Sequence, residues 1–554
     1  MAAAEEVAEM VNATFSKAYL FKLLGSELAD KRLADQIYKM GLDLEASSDE
    51  EITIDFPANR LDLIEIVGFA RALRNFMRKG KAAKYEIKGV HIAAQIEVDP
   101  SLKDIRPFIS AMVVEGIKFN EQSLKHLLNF AEKFTFTYGR QRKKLALGLH
   151  NLDTMGTDLR YEAAKDEEFV PLNSKSKMHF SEVLKKTEKG AAYSGTIGGA
   201  SAKSYPVLRD SKGVISLIPI INSERTKVDV STKNLFIEIT GTSKYTVEKS
   251  VDLFAALFID MGAKVSRVKV SYKGTTSLLP RLQSATMDIP LLAIEGNIGV
   301  IIGFNNVISL ANKMGYKAGL VGKKVRFWIP EYRLDILNQQ DVIEDIAIAY
   351  GYDYIQPVPI YAEQAGEYER STIRNQRVSE LMMGLGFSEA MNTHMTNEAS
   401  NFSDMRLKAS DHDHVTVRDA KVQNITMLRT WLLPSLLRNL GASAHEKMPQ
   451  KIFELDLTFI VSSMGVEEKY KLAGVITDPK SNFNQMKAII EEILYDLGST
   501  FQVKQNLHSS FIDGRCASVR VDGREIGVFG ELHPEVLGNF GIEEPSIAFE
   551  IELW

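Results

Sequence analysis

The sequence predicts an α+β chain of several domains, and three observations carry that reading. Its 554 residues amount to roughly three to five domains at about 100–200 residues each. Strand patterns of period two and amphipathic helical patterns alternate from end to end, with no solenoid repeat and no low-complexity tract. Hydrophobic residues at 45% and charged residues at 25% are ordinary globular proportions and argue against extended disorder.

Composition also narrows the function classes. A net charge of −5 provides no global attraction to nucleic acid, so any RNA contact needs a local basic surface. The single cysteine, Cys516, excludes an intramolecular disulfide and any multi-cysteine metal site, and suits a reducing cytoplasm. The segment Met1 to Met10 carries Glu5, Glu6 and Glu9 in place of the basic start and apolar core of a signal peptide. The most apolar stretches, near Val300, are short and broken by glycine, so a soluble chain with no membrane span is expected.

Taken in order, residues 1–85 hold two amphipathic helical patterns around a strand at 52–56. The turn Pro57-Ala58-Asn59-Arg60 opens a helix through Phe76, with the polar residues of Asn59-Arg60-Leu61-Asp62-Leu63 read as its cap. Residues 86–270 are mixed α/β, with strands such as 236–240. Inside them the run Arg140-Gln141-Arg142-Lys143-Lys144 follows Gly139 and suits a solvated face or a phosphate contact. Residues 271–358 hold an alternating strand at 325–329 and a helix-rich remainder, closed by Pro357 and Pro359. Residues 359–554 alternate helices with strands such as 451–459. Lone groups there, Cys516 and His533, read as structural.

The most informative run is Arg333-Leu334-Asp335 through Tyr352. Val342, Ile343, Ile346, Ala347 and Tyr350 recur at helical spacing and Gly351 stands at the C-terminus, so a helix is expected to start near Asp341. Asp335, Asp341, Glu344 and Asp345 then crowd one helix end. Converging carboxylates need a cation, and an all-oxygen set suits magnesium (Mg2+) or calcium. First-turn acids also satisfy orphan N–H groups and the helix dipole without any metal.

This run, with its closing Ala349-Tyr350-Gly351-Tyr352, resembles the carboxylate domain of the phenylalanyl-tRNA synthetase beta-subunit family, whose matching acids bind magnesium close to the alpha subunit. Asn59-Arg60-Leu61-Asp62-Leu63 looks like that family's Asn-Arg-Pro-Asp-Leu motif, with leucine for proline. Gly148-Leu149-His150-Asn151-Leu152-Asp153, Tyr205-Pro206-Val207-Leu208, Ser216, Pro219-Ile220-Ile221-Asn222-Ser223 and Glu238-Ile239-Thr240-Gly241-Thr242 follow in order and resemble the aminoacyl-ester editing domain of archaeal and eukaryotic members. Glu238 stands where an aspartate is common in archaeal relatives. Gly384-Leu385-Gly386-Phe387, Leu428-Arg429-Thr430-Trp431, Lys451-Ile452-Phe453-Glu454 and Phe529-Gly530-Glu531-Leu532-His533-Pro534 resemble the class II synthetase-like antiparallel domain. Phe453 takes the place of a phosphate-binding arginine before Glu454, and no glycine-rich stretch ending in Glu-Arg follows, so this domain is expected to lack the catalytic motifs.

The resemblance implies an alpha2beta2 heterotetramer in the cytoplasm. The alpha subunit would bind ATP and phenylalanine and charge tRNA(Phe), while this chain edits mischarged tyrosyl-tRNA(Phe). It also implies an editing pocket at Leu208, Ser216, Asn222, Glu238 and Thr240. Physically, Glu238 could accept a phenol O–H, the surest way to tell tyrosine from phenylalanine, and Ser216, Asn222 and Thr240 could orient an ester and a water. Turn and strand-end roles explain Asn222, Ser223 and Thr240-Gly241-Thr242 equally simply. A freestanding deacylase and a scaffold with a decayed pocket remain as rival readings.

Overall fold

The strand expected at 52–56 runs Glu51–Asp55 and is the centre of a three-stranded antiparallel sheet, flanked by Asn12–Ser16 and Asp43–Ser47. The computed structural model describes residues 12–77, 85–87, 91–199, 202–360, 365–418, 420, 422 and 424–553, so the acidic stretch at Met1–Met10 lies outside the described residues. Two compact units divide the chain, Met1–Pro359 and Ile360–Trp554.

The motif at Asn59–Leu63 does not cap the helix as expected. Arg60 grips Asp62 through Nε and Nη2 at 2.9 and 3.1 Å. The helix runs Ile66–Met77, and its first N–H groups, on Val67 and Gly68, donate to the Glu65 carboxylate at 2.6 and 3.3 Å. The motif serves a buried ion network, because Arg71 on that helix reaches Asp62 at 3.9 Å and Asp260 at 2.6 Å.

The centre of the first unit is a ten-stranded sheet. Its order is Ile221–Asn222, Gly213–Leu217, Tyr205–Asp210, Asp158–Ala164, Ile92–Val98, Lys264–Tyr272, Phe108–Glu115, Leu235–Gly241 and Leu145–Asn151, with Thr275–Leu279 pairing Lys264–Tyr272 beside that path. Ile92–Val98 pairs in parallel with both its neighbours, and the other pairings are antiparallel. All seven residues of Leu235–Gly241 are buried. One cause is the helix Lys244–Asp260, started by a Ser243 cap and packed on this strand and on Phe108–Glu115. Its Phe254 meets Phe130 and Phe134 of the helix Glu121–Phe136 at 5.1 and 5.2 Å between ring centres, each such side chain contributing about 1.5–3 kcal/mol on burial.

The same unit carries a smaller antiparallel sheet, Ala285–Pro290, Lys324–Ile329 and Lys317–Val321, covered by the helices Leu291–Ile298, Phe304–Lys313 and Gln339–Tyr350. The second unit holds a seven-stranded sheet. Its long hairpin Gln450–Ser462 with Gly465–Thr477 joins Ser546–Glu552, Arg524–Leu532, Phe511–Val521 and Phe501–Gln505, antiparallel throughout, and Ser388–Glu389 adds in parallel at one edge. Cys516 is free and buried within it, and burial pushes its thiol up to about 11. Among the described residues no helix is long and apolar enough to cross a membrane.

Candidate active site

Four of the five residues expected at the pocket border one cavity of about 340 Å3 in the first unit: Ser216, Asn222, Glu238 and Thr240. Glu238 and Thr240 lie two residues apart on Leu235–Gly241 and so share a face. Ser216 and Asn222 are register partners on adjacent strands. The fifth, Leu208, pairs with Ser216 from the next strand but is fully buried in the hydrophobic core and does not border the cavity. An apolar side chain at that register gains more from the core than from a polar opening, so Leu208 backs the wall and is not part of it.

Register explains the cavity floor. Glu238 stands opposite Ala111 on one side and Gly148 on the other, two small residues that leave its carboxylate room. A Cβ on Gly148 would lie 2.4 Å from Glu238 Oε1 and 2.8 Å from His150 Nε2. The Thr226 hydroxyl donates to the Ser223 carbonyl at 3.3 Å and lies 2.9 Å from His150 Nδ1. Thr226 thus engages Nδ1, which leaves Nε2 facing Glu238 Oε1 at 3.8 Å. His150 Nε2 and Glu238 Oε2 are both buried without a hydrogen-bond partner among the described residues. An unmet buried polar atom costs about 1–3 kcal/mol, which a ligand bearing the complementary group recovers. On the wall, Ser216 Oγ donates to Asn222 Oδ1 and Asn222 Nδ2 donates to the Leu149 carbonyl, both at 3.1 Å, which fixes the amide.

Two arginines brace the cavity, Arg142 on its border and Arg106 behind Thr240, and neither was a candidate from sequence. Arg106, 2% exposed, donates from Nε to Thr240 Oγ1 at 3.0 Å and from Nη2 to the Thr240 carbonyl at 2.8 Å. Its Nη1 donates to the Arg142 carbonyl at 3.0 Å. Arg142 belongs to the basic run expected on a solvated face, yet Arg140, Gln141 and Arg142 have φ of 50, 52 and 64°, and this left-handed turn carries Arg142 inward. Its guanidinium donates to the carbonyls of Pro219 and Ile220 at 3.1 and 2.9 Å, pairs with Glu132 at 3.0 Å and lies 4.1 Å from the Tyr193 ring centre. Burial works to raise the Glu132 carboxyl, but Arg142 and Lys189 outweigh it and hold it below its ordinary value. The signal in sequence was Gly139, where a Cβ would lie 2.2 Å from the Thr135 carbonyl oxygen.

The acid run is arranged differently from the expected convergence. Its helix runs Gln339–Tyr350 and is capped by Asn338, whose side chain accepts from the N–H of Gln340 at 2.8 Å. Asp341 Oδ2 accepts the N–H groups of Leu337 and Asn338 at 2.7 and 2.8 Å, so it closes the cap. Glu344 is exposed on the next turn. Asp335 and Asp345, with side chains 5% and 6% exposed, turn to Arg333 instead. Arg333 holds Asp335 through Nε and Nη2 at 2.8 and 2.7 Å and places Nη1 2.7 Å from Asp345, which also takes the Tyr316 hydroxyl. Among the described residues no group of three or more acids, histidines or cysteines stands close enough to hold a metal ion. The four expected ligands do not fit magnesium as arranged, because two serve an internal guanidinium and a third serves the helix cap. In the second unit, Glu454 is fully buried and accepts from Arg429 Nη1 at 2.6 Å and Asn392 Nδ2 at 2.8 Å, next to a fully buried Phe453.

Three stretches of the chain match known protein families. Residues 103–256 match the family described as B3/4 domain, residues 287–352 the tRNA synthetase B5 domain, and residues 356–553 the phenylalanyl tRNA synthetase beta chain CLM domain. The chain is 36% identical over 520 residues to the phenylalanine–tRNA ligase beta subunit of Archaeoglobus fulgidus, with 93% of each chain covered. It is 32% identical to that of Methanocaldococcus jannaschii, covering 97% of this chain and 98% of the relative. A crystal structure of an N-terminal fragment of the Pyrococcus horikoshii phenylalanyl-tRNA synthetase beta subunit superposes with a TM-score of 0.59 at 32% identity, covering 62% of this chain and 100% of the fragment. With several such relatives matched over nearly their whole length, the chain belongs to the family of phenylalanine–tRNA ligase beta subunits.

Proposed function

We propose that the chain works with an alpha subunit, as an alpha2beta2 assembly, and that its cavity hydrolyses tyrosine from mischarged tRNA(Phe). On this reading the alpha subunit binds ATP and phenylalanine and performs the ligation, and the assembly works in the cytoplasm. The observation that carries the editing role is the Glu238 carboxylate on the cavity floor, with Oε2 buried and without a hydrogen-bond partner among the described residues. A cavity of about 340 Å3 suits one aminoacyl group, at the small end of the roughly 300–1,000 Å3 range of ligand sites.

A phenol O–H entering the floor donates to Glu238, whereas phenylalanine leaves that acceptor unmet. The difference of about 1–3 kcal/mol corresponds to a roughly tenfold to hundredfold preference. Ser216 and Asn222, already locked together, present fixed polar edges to the ester. The acid run around Arg333 carries no step of this reading.

The test is deacylation of tyrosyl-tRNA(Phe) and phenylalanyl-tRNA(Phe) by the complex with its alpha partner. Faster loss of tyrosine is expected, and Glu238→Gln should narrow the gap. Equal rates for the two esters in the unmodified complex would overturn the reading, and binding with no hydrolysis would favour the decayed scaffold.

A further inference from the structure

Thr240 borders the cavity two residues beyond Glu238, and its hydroxyl is engaged from behind. A threonine hydroxyl has one proton and two lone pairs, while a guanidinium has donors only. Arg106 Nε–H therefore occupies a lone pair of Thr240 Oγ1, at 3.0 Å, and cannot accept the hydroxyl proton. Thr240 makes no other side-chain hydrogen bond among the described residues. Donation from a charged group also polarises the O–H it meets, which makes that hydroxyl a stronger donor in turn.

Arg106 is poorly placed to do anything else. It is 2% exposed, its main-chain carbonyl is held by the Tyr161 hydroxyl at 2.8 Å, and no carboxylate among the described residues lies within ion-pair distance. Its remaining donors go to the Thr240, Arg142 and Lys143 carbonyls. Burial still pulls its guanidinium down against the favourable charge of Tyr161 and Glu238, so a buried cation is costly to keep here, and a backbone clamp alone could be made by a neutral side chain.

We propose that Arg106 is a positioning residue of the editing cavity, which fixes the Thr240 hydroxyl as a donor aimed at an acceptor oxygen of the bound aminoacyl ester; this rests on the editing reading above. The floor then offers the ester one donor, Thr240, and one acceptor, Glu238, with their senses fixed before the ligand arrives.

The experiment measures kcat and KM for tyrosyl-tRNA(Phe) deacylation by the assembled complex carrying Thr240→Val, Thr240→Ser, Arg106→Gln, Arg106→Lys or the Arg106→Gln/Thr240→Val pair. Thr240→Val keeps the shape without the hydroxyl and should lower kcat by about tenfold or more, the worth of one hydrogen bond to a charged network, with KM within about twofold. Thr240→Ser should keep most of the rate. Arg106→Gln should lose about as much as Thr240→Val, and Arg106→Lys should recover part of it. The pair should be no slower than Thr240→Val alone, because the hydroxyl is already gone, whereas a mere backbone clamp would add its full factor again. Aminoacylation by the complex should be unchanged in all five.

Thr240→Val working at the unmodified rate would overturn the proposal even if the arginine variants failed to fold. Fully multiplicative losses in the pair would overturn it too. An unmodified complex that leaves the tyrosyl ester intact would overturn the editing reading itself, and this inference with it.

Discussion

Gly148 shows how one missing atom shapes a site. Its Cα faces Glu238 across the strand pair, and an added methyl would press on a carboxylate that borders the cavity. Gly148→Ala should therefore leave a folded protein whose Glu238 is displaced by a fraction of an ångström or more, and a misplacement of about 1 Å can cost about a hundredfold in rate. Tyrosyl-tRNA deacylation should fall by roughly that factor while thermal stability changes little; an unchanged rate would show that Glu238 is not the recognition group. Glu65 supports a second test. Burial drives its carboxyl up to about 7 against an ordinary 4.5, despite the two N–H groups it accepts. Between those values the folded chain keeps a proton that the unfolded chain has lost, so stability contributed by this group is present below pH 4.5 and falls as pH rises to about 7, by up to about 3 kcal/mol. In chemical denaturation from pH 5 to 8, Glu65→Gln should lose that slope, and parallel curves for the two proteins would refute it. Glu238, Ser216, Asn222 and Thr240 were picked out by motifs that resemble the family's editing domain, and their polar types then suggested roles. Arg106 and Arg142 were not, since arginine is mostly exposed and nothing local marks the buried exceptions.

The helix Gln339–Tyr350 was legible where periodicity speaks and illegible where tertiary contacts decide. Its apolar face and terminal Gly351 follow from spacing alone, but its start lies two residues before Asp341, because Gln339 and Gln340 carry no apolar signal and Asn338 provides the cap. The convergence of four acids failed for a different reason. Arg333 lies twelve positions from Asp345, and spacing along one helix says nothing of a cation arriving from outside it. Arg333→Met would leave Asp335 and Asp345 buried without a counterion, a loss of about 3–5 kcal/mol. Urea unfolding should show it as a lower midpoint with unchanged slope; a loss below about 1 kcal/mol would mean that the acids have another partner. Millimolar magnesium should leave the midpoint of the unmodified chain where it is, since the guanidinium already holds the place of a cation. The basic turn at Arg140–Arg142 teaches the same lesson, because the charge was visible and the left-handed backbone that buries one of its members was not.

Across the first unit, buried ions join segments far apart in sequence. Arg71 on the helix Ile66–Met77 reaches Asp260 at the end of Lys244–Asp260 and lies 3.5 Å from the ring centre of Tyr332, beside Arg333. The coarse division into mixed α/β sheets was readable from alternating patterns, whereas these long-range pairs were not, because nothing in sequence identifies which arginine meets which acid. In the second unit, Arg429 and Asn392 donate to both oxygens of the Glu454 carboxylate, which commits that group to internal contacts. The chain alone should accordingly give no phenylalanine-dependent ATP–pyrophosphate exchange, and the complex with the alpha subunit should give it readily. Robust exchange by the isolated chain would show that the ligation site is here after all.

The order of strands in the ten-stranded sheet also sets a timetable for synthesis. Phe108–Glu115, almost wholly buried in the finished protein, is flanked by Leu235–Gly241 and Lys264–Tyr272, both made later. Its first neighbour emerges about 120 residues downstream, roughly 6–24 s at a translation rate of about 5–20 residues per second. Throughout that interval the nascent chain carries an apolar strand with both edges open, a template for pairing with other chains. That exposure ends only when residue 272 has left the tunnel and both edges of the strand can be paired.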